Sequence, residues 1–321
     1  MACDLCPRHC KVERGNGQQG YCGMTEDVTV ARVAPHFWEE PCISGENGSG
    51  TVFFSGCNLR CVYCQNHKIA AGKTGQRMTV KELSGAFLSL QEQGCHNINL
   101  VTPSHFVPQI KEALQLAKLR VPVVYNTSSY ECVQTLRQME GLVDIYLADL
   151  KYLDAGLAGQ YSHATDYPET AKAAIREMVR QVGGIEYEVS PQLTETAEKE
   201  AGGPEAGRAA GEKQRIRKAT ENPDGALMKR GVIVRHLLLP GQVEEAKRVL
   251  RYLYDTYGDT IAVSILNQYT PLPHVAAYPE LNRTVTEEEY EQVVEYALEL
   301  GIGHGFLQEG QAASESFIPE F

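Results

Sequence analysis

Three cysteines follow a short strand-like run at a spacing that could hold a metal cluster. Cys57, Cys61 and Cys64 have C-x3-C-x2-C spacing directly after residues 51–54, which are apolar, β-branched and aromatic. Iron–sulfur cubanes are normally held by four thiolates, so three would leave one iron open to a small molecule. A zinc site, or reduced structural cysteines, is the alternative. We favour the cluster because these cysteines leave a strand where α/β barrels carry their chemistry.

A second cysteine group opens the chain. Cys3, Cys6, Cys10 and Cys22 form two short-spaced pairs around a glycine-rich loop, a pattern that can close a tetrahedral site for zinc or an Fe–S centre. A segment this short has no apolar core of its own, so the metal would supply its folding energy, and its role would be structural. The alternative is four reduced cysteines on a flexible arm. Cys42 stands alone and is expected to be a small buried residue.

Length and composition limit the protein's class. The chain has 321 residues, 43% hydrophobic and 22% charged, which is ordinary for a globular protein. A net charge of −11 argues against a nucleic-acid or anionic-membrane surface. No apolar run approaches the ~18 residues of a transmembrane helix, and no signal-peptide pattern opens the sequence. Ten cysteines without a secretion signal favour metal ligation in a reducing cytoplasm.

Strand and helix patterns alternate along most of the chain. Strands are predicted at 51–54, 96–102, 121–127, 143–151, 231–241 and 261–269, and amphipathic helices follow most of them. Short connections between such elements predict a parallel sheet in an α/β fold. We divide the chain into a cysteine-rich segment at 1–45, a barrel at 46–310 and a tail at 311–321. An insertion at 183–229 has few large apolar residues and is predicted to be disordered.

The cysteine loop resembles the signature of the radical S-adenosylmethionine (radical SAM) superfamily, with Tyr63 as the aromatic residue before the last cysteine. The resemblance implies a partial (β/α)6 TIM-type barrel with the site at the carboxyl ends of its strands. It implies that Cys57, Cys61 and Cys64 ligate a [4Fe-4S] cluster. The amino and carboxylate groups of S-adenosylmethionine would chelate the fourth iron, and one electron would cleave the sulfonium to a 5′-deoxyadenosyl radical.

Charged residues near two strand ends are candidates for cofactor contacts. Asp149 and Lys151 end the fourth strand, and this Asp-x-Lys resembles the motif that activating enzymes use near the cofactor; a structural ion pair is the alternative. Arg235 and His236 alternate faces on the fifth strand, so only one of them can point inward. We assign Arg235 to the cofactor carboxylate because its fork suits bidentate pairing, and His236 could equally be a satisfied buried histidine.

Asn99 and Thr102 lie at the end of the second strand. Many radical enzymes resembling this chain have a Gly-Gly-Glu motif there that binds the amino group of the cofactor. This chain has Asn-Leu-Val-Thr-Pro instead, so we expect the contact through Asn99, Thr102 or backbone carbonyls. Further candidates, for ribose or adenine, are Asn126, Ser128, Asn267 and Gln268.

The resemblance extends to the group of proteins similar to the pyruvate formate-lyase activating enzyme. It implies that the substrate is a glycine Cα–H of a glycyl radical enzyme and that flavodoxin or ferredoxin reduces the cluster. One alternative is a radical SAM enzyme that modifies a different peptide, nucleic acid or metabolite. Another is a non-catalytic zinc or Fe–S binding module. No phosphate-binding loop is present to support a nucleotide triphosphate enzyme.

Overall fold

Parallel strands form the frame of the protein, whose computed structural model describes residues 2–188, 217–218 and 225–308. The strands are β1 (Val28–His36), β2 (Ser49–Phe54), β3 (Gln76–Met78), β4 (Ile98–Val101), β5 (Val123–Thr127), β6 (Ile145–Asp149), β7 (Glu186–Glu188), β8 (Arg217–Lys218), β9 (Leu227–Leu237), β10 (Ala262–Leu266) and β11 (Gly305–Leu307). Strands β2, β4, β5, β6, β9, β10, β11 and β8 are successive parallel neighbours. On the other side of β2, β1 and then β3 extend the sheet in antiparallel pairing. The first six parallel strands confirm the predicted α/β partial barrel, and the short strands β11 and β8 add a seventh and an eighth.

Helices connect most of the parallel strands. They are α1 (Pro41–Ser44), α2 (His67–Ala70), α3 (Val80–Glu92), α4 (Val107–Ala117), α5 (Val133–Arg137), α6 (Ala155–Ser162), α7 (Tyr167–Val182), α8 (Val243–Tyr257) and α9 (Glu287–Leu300). A capping box starts α3: the Thr79 side chain accepts from the Glu82 N–H, and the Glu82 carboxylate accepts from the Thr79 N–H. None of the helices in the described ranges is long and apolar enough to cross a membrane.

The predicted 183–229 insertion is ordered at both of its ends. Strand β7 pairs antiparallel with the start of β9, from Glu186 opposite Arg230 to Glu188 opposite Leu227. Strand β9 was predicted to begin at residue 231, where its pairing with β6 begins, but it begins at Leu227. Residues 227–230 extend the strand because they pair with the backbone of β7. These ends therefore depart from the predicted disorder. The rest of the insertion, 189–216 and 219–224, and the tail at 311–321 lie outside the described residues.

The interior at the amino ends of the strands is filled by a segment from earlier in the chain. Because β1 runs against β2, it ends with His36 opposite Ser49, the first residue of β2. Helix α1 follows, and there Cys42 and Ile43 are 4% and 0% exposed. They pack with side chains from one face of the parallel strands, which include Val124, Ile145, Leu147, Ile233 and Ala262. The prediction for Cys42 is confirmed, and open space inside the barrel remains at the carboxyl ends.

The cysteine-rich segment is folded against the barrel. The Cys3 N–H donates to the Val12 carbonyl at 2.8 Å, which closes a loop, and the Thr135 hydroxyl donates to the Leu5 carbonyl at 2.7 Å. The Arg14 guanidinium is buried and donates to the carbonyl of His105 at 2.5 Å. The flexible-arm alternative does not describe this segment, because backbone and side-chain hydrogen bonds attach it to the main domain.

A carboxyl group is buried close to that segment. Glu131 is 2% exposed, and its Oε1 accepts hydrogen bonds from Ser104 and Thr127, both at 2.5 Å. Its Oε2 is buried without a hydrogen-bond partner. Burial raises the pKa of Glu131 from 4.5 to about 7, although both hydroxyls oppose the shift. The folded protein therefore holds this carboxyl group in its neutral form below neutral pH.

Replacing Ile43 by alanine should lower the free energy of unfolding by about 3 kcal/mol, because a cavity would remain inside the barrel. The control is Leu116→Ala on α4, where the side chain is 56% exposed. That change should alter the free energy by less than about 0.5 kcal/mol. Urea unfolding of both variants measures the two effects. Equal effects would contradict the placement of α1 in the barrel interior.

The Glu131→Gln variant should change the pH dependence of stability. A carboxyl whose folded pKa is raised contributes stability that is full below its unfolded pKa and is lost as pH rises through its folded pKa. The free energy of unfolding of the variant should therefore rise relative to that of the parent by about 2 kcal/mol between about pH 5 and pH 8. Urea unfolding at the two pH values provides the measurement. Parallel pH profiles for parent and variant would show that Glu131 ionises normally in the folded state.

Candidate active site

The cysteine loop begins at the carboxyl end of β2, where its backbone at Gly56 packs closely against the cysteine-rich segment at Cys22. Gly56 has φ of +85°, a conformation that L side chains rarely adopt. A Cβ at this position would lie 2.6 Å from the Cys22 carbonyl oxygen. A glycine is therefore required both by the turn and by the neighbouring chain.

The three thiols of the loop face one cavity of about 250 Å³. Cys57, Cys61 and Cys64 all line it, as does Tyr63 between them. The Leu59 N–H donates to the Cys57 sulfur at 3.4 Å, and the Ser162 hydroxyl donates to the Cys61 sulfur at 3.0 Å. Sulfur atoms that accept such hydrogen bonds are typical of iron–sulfur ligands.

Burial keeps two of these thiols protonated in the free protein. It raises the pKa of Cys61 and of Cys64, and the nearby Cys57 sulfur raises both further. The ammonium of Lys151 and the Ser162 hydroxyl work in the opposite direction at Cys61. Metal ligation replaces thiol protons with a cationic centre, so three partly buried thiols around a cavity fit a cluster that binds with proton release.

The strand ends bring polar side chains to the same cavity. Asp149 and Lys151 form an ion pair with 2.7 Å between Oδ2 and Nζ, and both line the cavity. Burial acts to lower the pKa of Lys151, but Asp149, Cys61 and Tyr167 together raise it well above its ordinary value. Thr102 also lines the cavity and has φ of +59°, which is rare for a β-branched residue. Strained residues of this kind are concentrated at functional sites.

A buried charge group forms the floor of the cavity. The Arg235 guanidinium binds the carboxylates of Glu39 and Glu40; its Nε lies 2.9 Å from Glu40 Oε1. Asn99 and Asn126 donate their amides to Glu39 Oε1 at 2.9 and 3.3 Å. Burial acts to lower the pKa of Arg235, but the two carboxylates raise it well above its ordinary value. Both carboxylates come from the segment that enters the barrel from the amino ends of its strands.

The structure brings most of the predicted site residues together. Those that line the cavity are Cys57, Cys61, Cys64, Tyr63, Thr102, Asn126, Ser128, Asp149, Lys151, Arg235 and Gln268. Asn99 lies beneath it and is fully buried against Glu39. His236 lies on the opposite face, where Nδ1 is 2.8 Å from the Leu150 carbonyl oxygen, so the interpretation as a satisfied buried histidine is confirmed. Asn267 is not among the lining residues.

Sequence reasoning missed the partners that surround these residues. Glu39 and Glu40 were not predicted as site residues. Two adjacent glutamates beside Phe37 and Trp38 could have indicated that their carboxylates are buried and neutralise a buried cation. Ser162, which bonds to Cys61, is at the end of α6 and carries no signal in the sequence. Its proximity depends on how α6 folds back over the loop.

The cysteines of the amino-terminal segment also approach one another. Cys6 and Cys22 are buried, and burial raises the pKa of Cys6 to about 12. Cys22 and Cys10 each raise the Cys6 pKa further, and a Cβ on Gly20 would lie 3.4 Å from the Cys10 sulfur and 3.7 Å from the Cys22 sulfur. Within the described ranges, no group of three or more His, Cys, Asp or Glu side chains is arranged to hold a single metal ion. In a cubane each thiolate binds a different iron, so its ligands need not converge on one ion.

Comparisons with known proteins bear on the cysteine loop and the barrel. Residues 51–192 match the family model of the radical SAM superfamily. The uncharacterized protein MJ0674 of Methanocaldococcus jannaschii is 24% identical over 304 residues, which cover 92% of this chain and 74% of that protein.

Solved structures give weaker likenesses. Streptococcus suis SuiB bound to S-adenosylmethionine is 11% identical, with a TM-score of 0.48 over 79% of this chain and 48% of that one. Methylornithine synthase is 13% identical, with a TM-score of 0.47 over 80% of this chain and 72% of that one. This chain thus spans about half the length of SuiB.

The family match covers the strand and loop that carry Cys57, Cys61 and Cys64, and the polar side chains around their cavity come from successive strands of a parallel partial barrel. Residues 51–192 of this chain therefore form a domain that matches the radical SAM superfamily.

Proposed function

We propose that this protein reductively cleaves S-adenosylmethionine at a [4Fe-4S] cluster held by Cys57, Cys61 and Cys64. The observation that carries the proposal is the convergence of these three thiols on one cavity with charged residues from the strand ends. Three protein thiolates leave one iron of a cubane open. When bound, the reduced cluster supplies one electron, and cleavage gives methionine and a 5′-deoxyadenosyl radical that takes a hydrogen atom from a substrate.

The cavity side chains would bind and orient the cofactor. We assign Asp149, Lys151, Thr102 and the ring of Tyr63 to cofactor contacts, because all four line the cavity. Arg235 and Asn99 would act on the cofactor through the buried charge group rather than only by direct contact. Arg235 lines the cavity with two carboxylates already bound, and Asn99 acts through Glu39. The ion-paired group of Arg235, Glu39 and Glu40 would then fix the shape and the electrostatic potential of the cavity floor.

We propose a glycine Cα–H of a glycyl radical enzyme as the substrate, with 5′-deoxyadenosine and a protein radical as products. The support is the resemblance of the cysteine loop and Asp149-x-Lys151 to proteins like the pyruvate formate-lyase activating enzyme. The electron would come from flavodoxin or ferredoxin, and the reducing cytoplasm would keep the ten cysteines available as thiols. A different peptide, nucleic acid or metabolite is the alternative substrate class; acquisition of a glycyl radical by a candidate enzyme, detected by EPR, distinguishes them.

We propose a second metal centre, zinc or Fe–S, at Cys3, Cys6, Cys10 and Cys22, where a single zinc ion would require the four thiols to move closer together than they lie in this structure. Its support is the mutual approach of these thiols and the attachment of their segment to the barrel. Burial raises the pKa of Cys6 and Cys22, so binding there would release protons, as expected for a structural thiolate site. A non-catalytic binding module would use this centre alone.

Single replacements of Cys57, Cys61 or Cys64 by alanine should abolish 5′-deoxyadenosine formation, because the cluster loses a ligand. The matched control is Cys95→Ala, a buried cysteine outside both cysteine groups, which should leave formation near the parent level. The assay uses anaerobic, reconstituted and dithionite-reduced protein with S-adenosylmethionine. A parent protein with a complete [4Fe-4S] signal and no cleavage would contradict the proposed activity and favour the binding module.

The variant with Cys57, Cys61 and Cys64 all replaced should still hold metal at the second centre. Elemental analysis should find zinc or iron in this variant, and additional replacement of Cys6 and Cys22 should remove it. The first replacement leaves the amino-terminal thiols intact, so its metal content reports on them alone. Loss of all metal from the first variant would overturn the second centre without affecting the proposed activity.

A further inference from the structure

We infer that Ser162 tunes the reduction potential of the cluster through Cys61, and that Arg8 of the cysteine-rich segment holds Ser162 in place. The inference rests on the proposed function, since it requires a cluster at Cys57, Cys61 and Cys64. It adds to that function a positioning residue for the sulfur ligand and a physical link between the two cysteine groups.

A chain of buried hydroxyl groups ends at the sulfur of Cys61. The Ser162 Oγ lies 3.0 Å from the Cys61 Sγ and 3.1 Å from the Tyr152 hydroxyl oxygen. The Tyr152 oxygen lies 2.6 Å from the hydroxyl oxygen of Tyr63, which belongs to the cysteine loop itself. Ser162, Tyr152 and Tyr63 are 0%, 1% and 6% exposed, so water does not compete for the bonds among the three hydroxyl groups. The chain therefore begins and ends on the cluster loop.

The direction of the bond to Cys61 follows from the number of protons. A thiolate has no proton and can only accept, and a serine hydroxyl has one proton to donate. Once Cys61 is ionised, the proton of Ser162 is used at the sulfur. Tyr152 can then donate to Ser162 or to Tyr63, and donation to Ser162 polarises its hydroxyl further.

A hydrogen bond to a ligand sulfur stabilises the reduced cluster more than the oxidised one, because reduction adds negative charge that the donor partly offsets. Hydrogen bonds to the sulfurs are among the factors that set cluster potentials. The donor itself is buried, and hydrogen bonds in such surroundings are stronger than on the surface. Ser162 should therefore raise the potential and make reduction by a cellular donor easier.

Arg8 fixes the end of the helix that carries Ser162. Its Nη1 donates to the His163 carbonyl at 2.6 Å and its Nη2 to the Ser162 carbonyl at 3.3 Å, while Nε donates to the Asn58 carbonyl at 2.7 Å. Asn58 follows the first cluster cysteine. The guanidinium also stacks on Tyr21, with 4.0 Å from Cζ to the ring centroid.

One guanidinium thus joins three elements: the cysteine-rich segment, the cluster loop and the carboxyl end of α6. A planar fork can satisfy these separate carbonyls, which a lysine ammonium cannot reproduce in the same geometry. Cations are also favourable at helix carboxyl ends, where carbonyls lack helical partners. Folding of the cysteine-rich segment therefore positions the donor to Cys61.

The test is an EPR-monitored redox titration of the reconstituted cluster without S-adenosylmethionine. Ser162→Ala should shift the midpoint potential to a more negative value, and Ser162→Thr, which keeps the hydroxyl, should restore it toward that of the parent. Tyr152→Phe and Arg8→Lys should shift the potential in the same direction by smaller amounts. The control is Ser84→Ala, a buried serine on α3, which should leave the potential unchanged.

Ser162→Ala protein with a complete cluster and the potential of the parent would overturn the inference. If that variant holds too little cluster to titrate, Arg8→Lys decides, because the inference holds Ser162 in place through Arg8 and this variant keeps the Ser162 hydroxyl; an unchanged potential there overturns the inference. Parent protein that binds no cluster contradicts the proposed function instead. Parent protein that cleaves S-adenosylmethionine while all variants share one potential contradicts only this inference.

Discussion

Thiols that are largely shielded from water and lie beside one another do not ionise readily, because burial and their mutual repulsion both favour the protonated form. Cys61 and Cys64 are in this position, and the pKa of each is raised. A cluster can be held there only when cationic iron and local donors offset that cost. The fold brings two hydrogen-bond donors and one positive charge to the loop. The donors are the Leu59 N–H at Cys57 and the Ser162 hydroxyl at Cys61, and the charge is the nearby Lys151 ammonium.

The same requirement explains why charge is paired around the cavity. Lys151 is neutralised by Asp149, and Arg235 by Glu39 and Glu40. A buried charge without a partner would be strongly destabilising. Since the two glutamates reach Arg235 from the amino ends of the strands, the segment before β2 both fills the barrel and completes its charge balance.

Local patterns were sufficient to predict the parallel strands and the thiols that share a cavity. These features depend on hydrophobic periodicity and short spacing, which are visible in a single sequence. The filling of the barrel by α1 and the contacts of Arg8 and Ser162 were not predictable. They join residues such as Arg8 and Asn58 that are far apart in the chain, and no local pattern encodes that approach. The ordered ends of the 183–229 segment were missed because β7 gains its stability only by pairing with β9.

The most direct measurement of the central claim is the EPR spectrum of the dithionite-reduced protein before and after addition of S-adenosylmethionine. Three protein thiolates leave one iron open, so the account predicts that the spectrum of the reduced cluster changes when the cofactor binds that iron. An identical spectrum with and without the cofactor, in protein whose iron and sulfide contents show a complete cluster, would contradict an open iron at Cys57, Cys61 and Cys64.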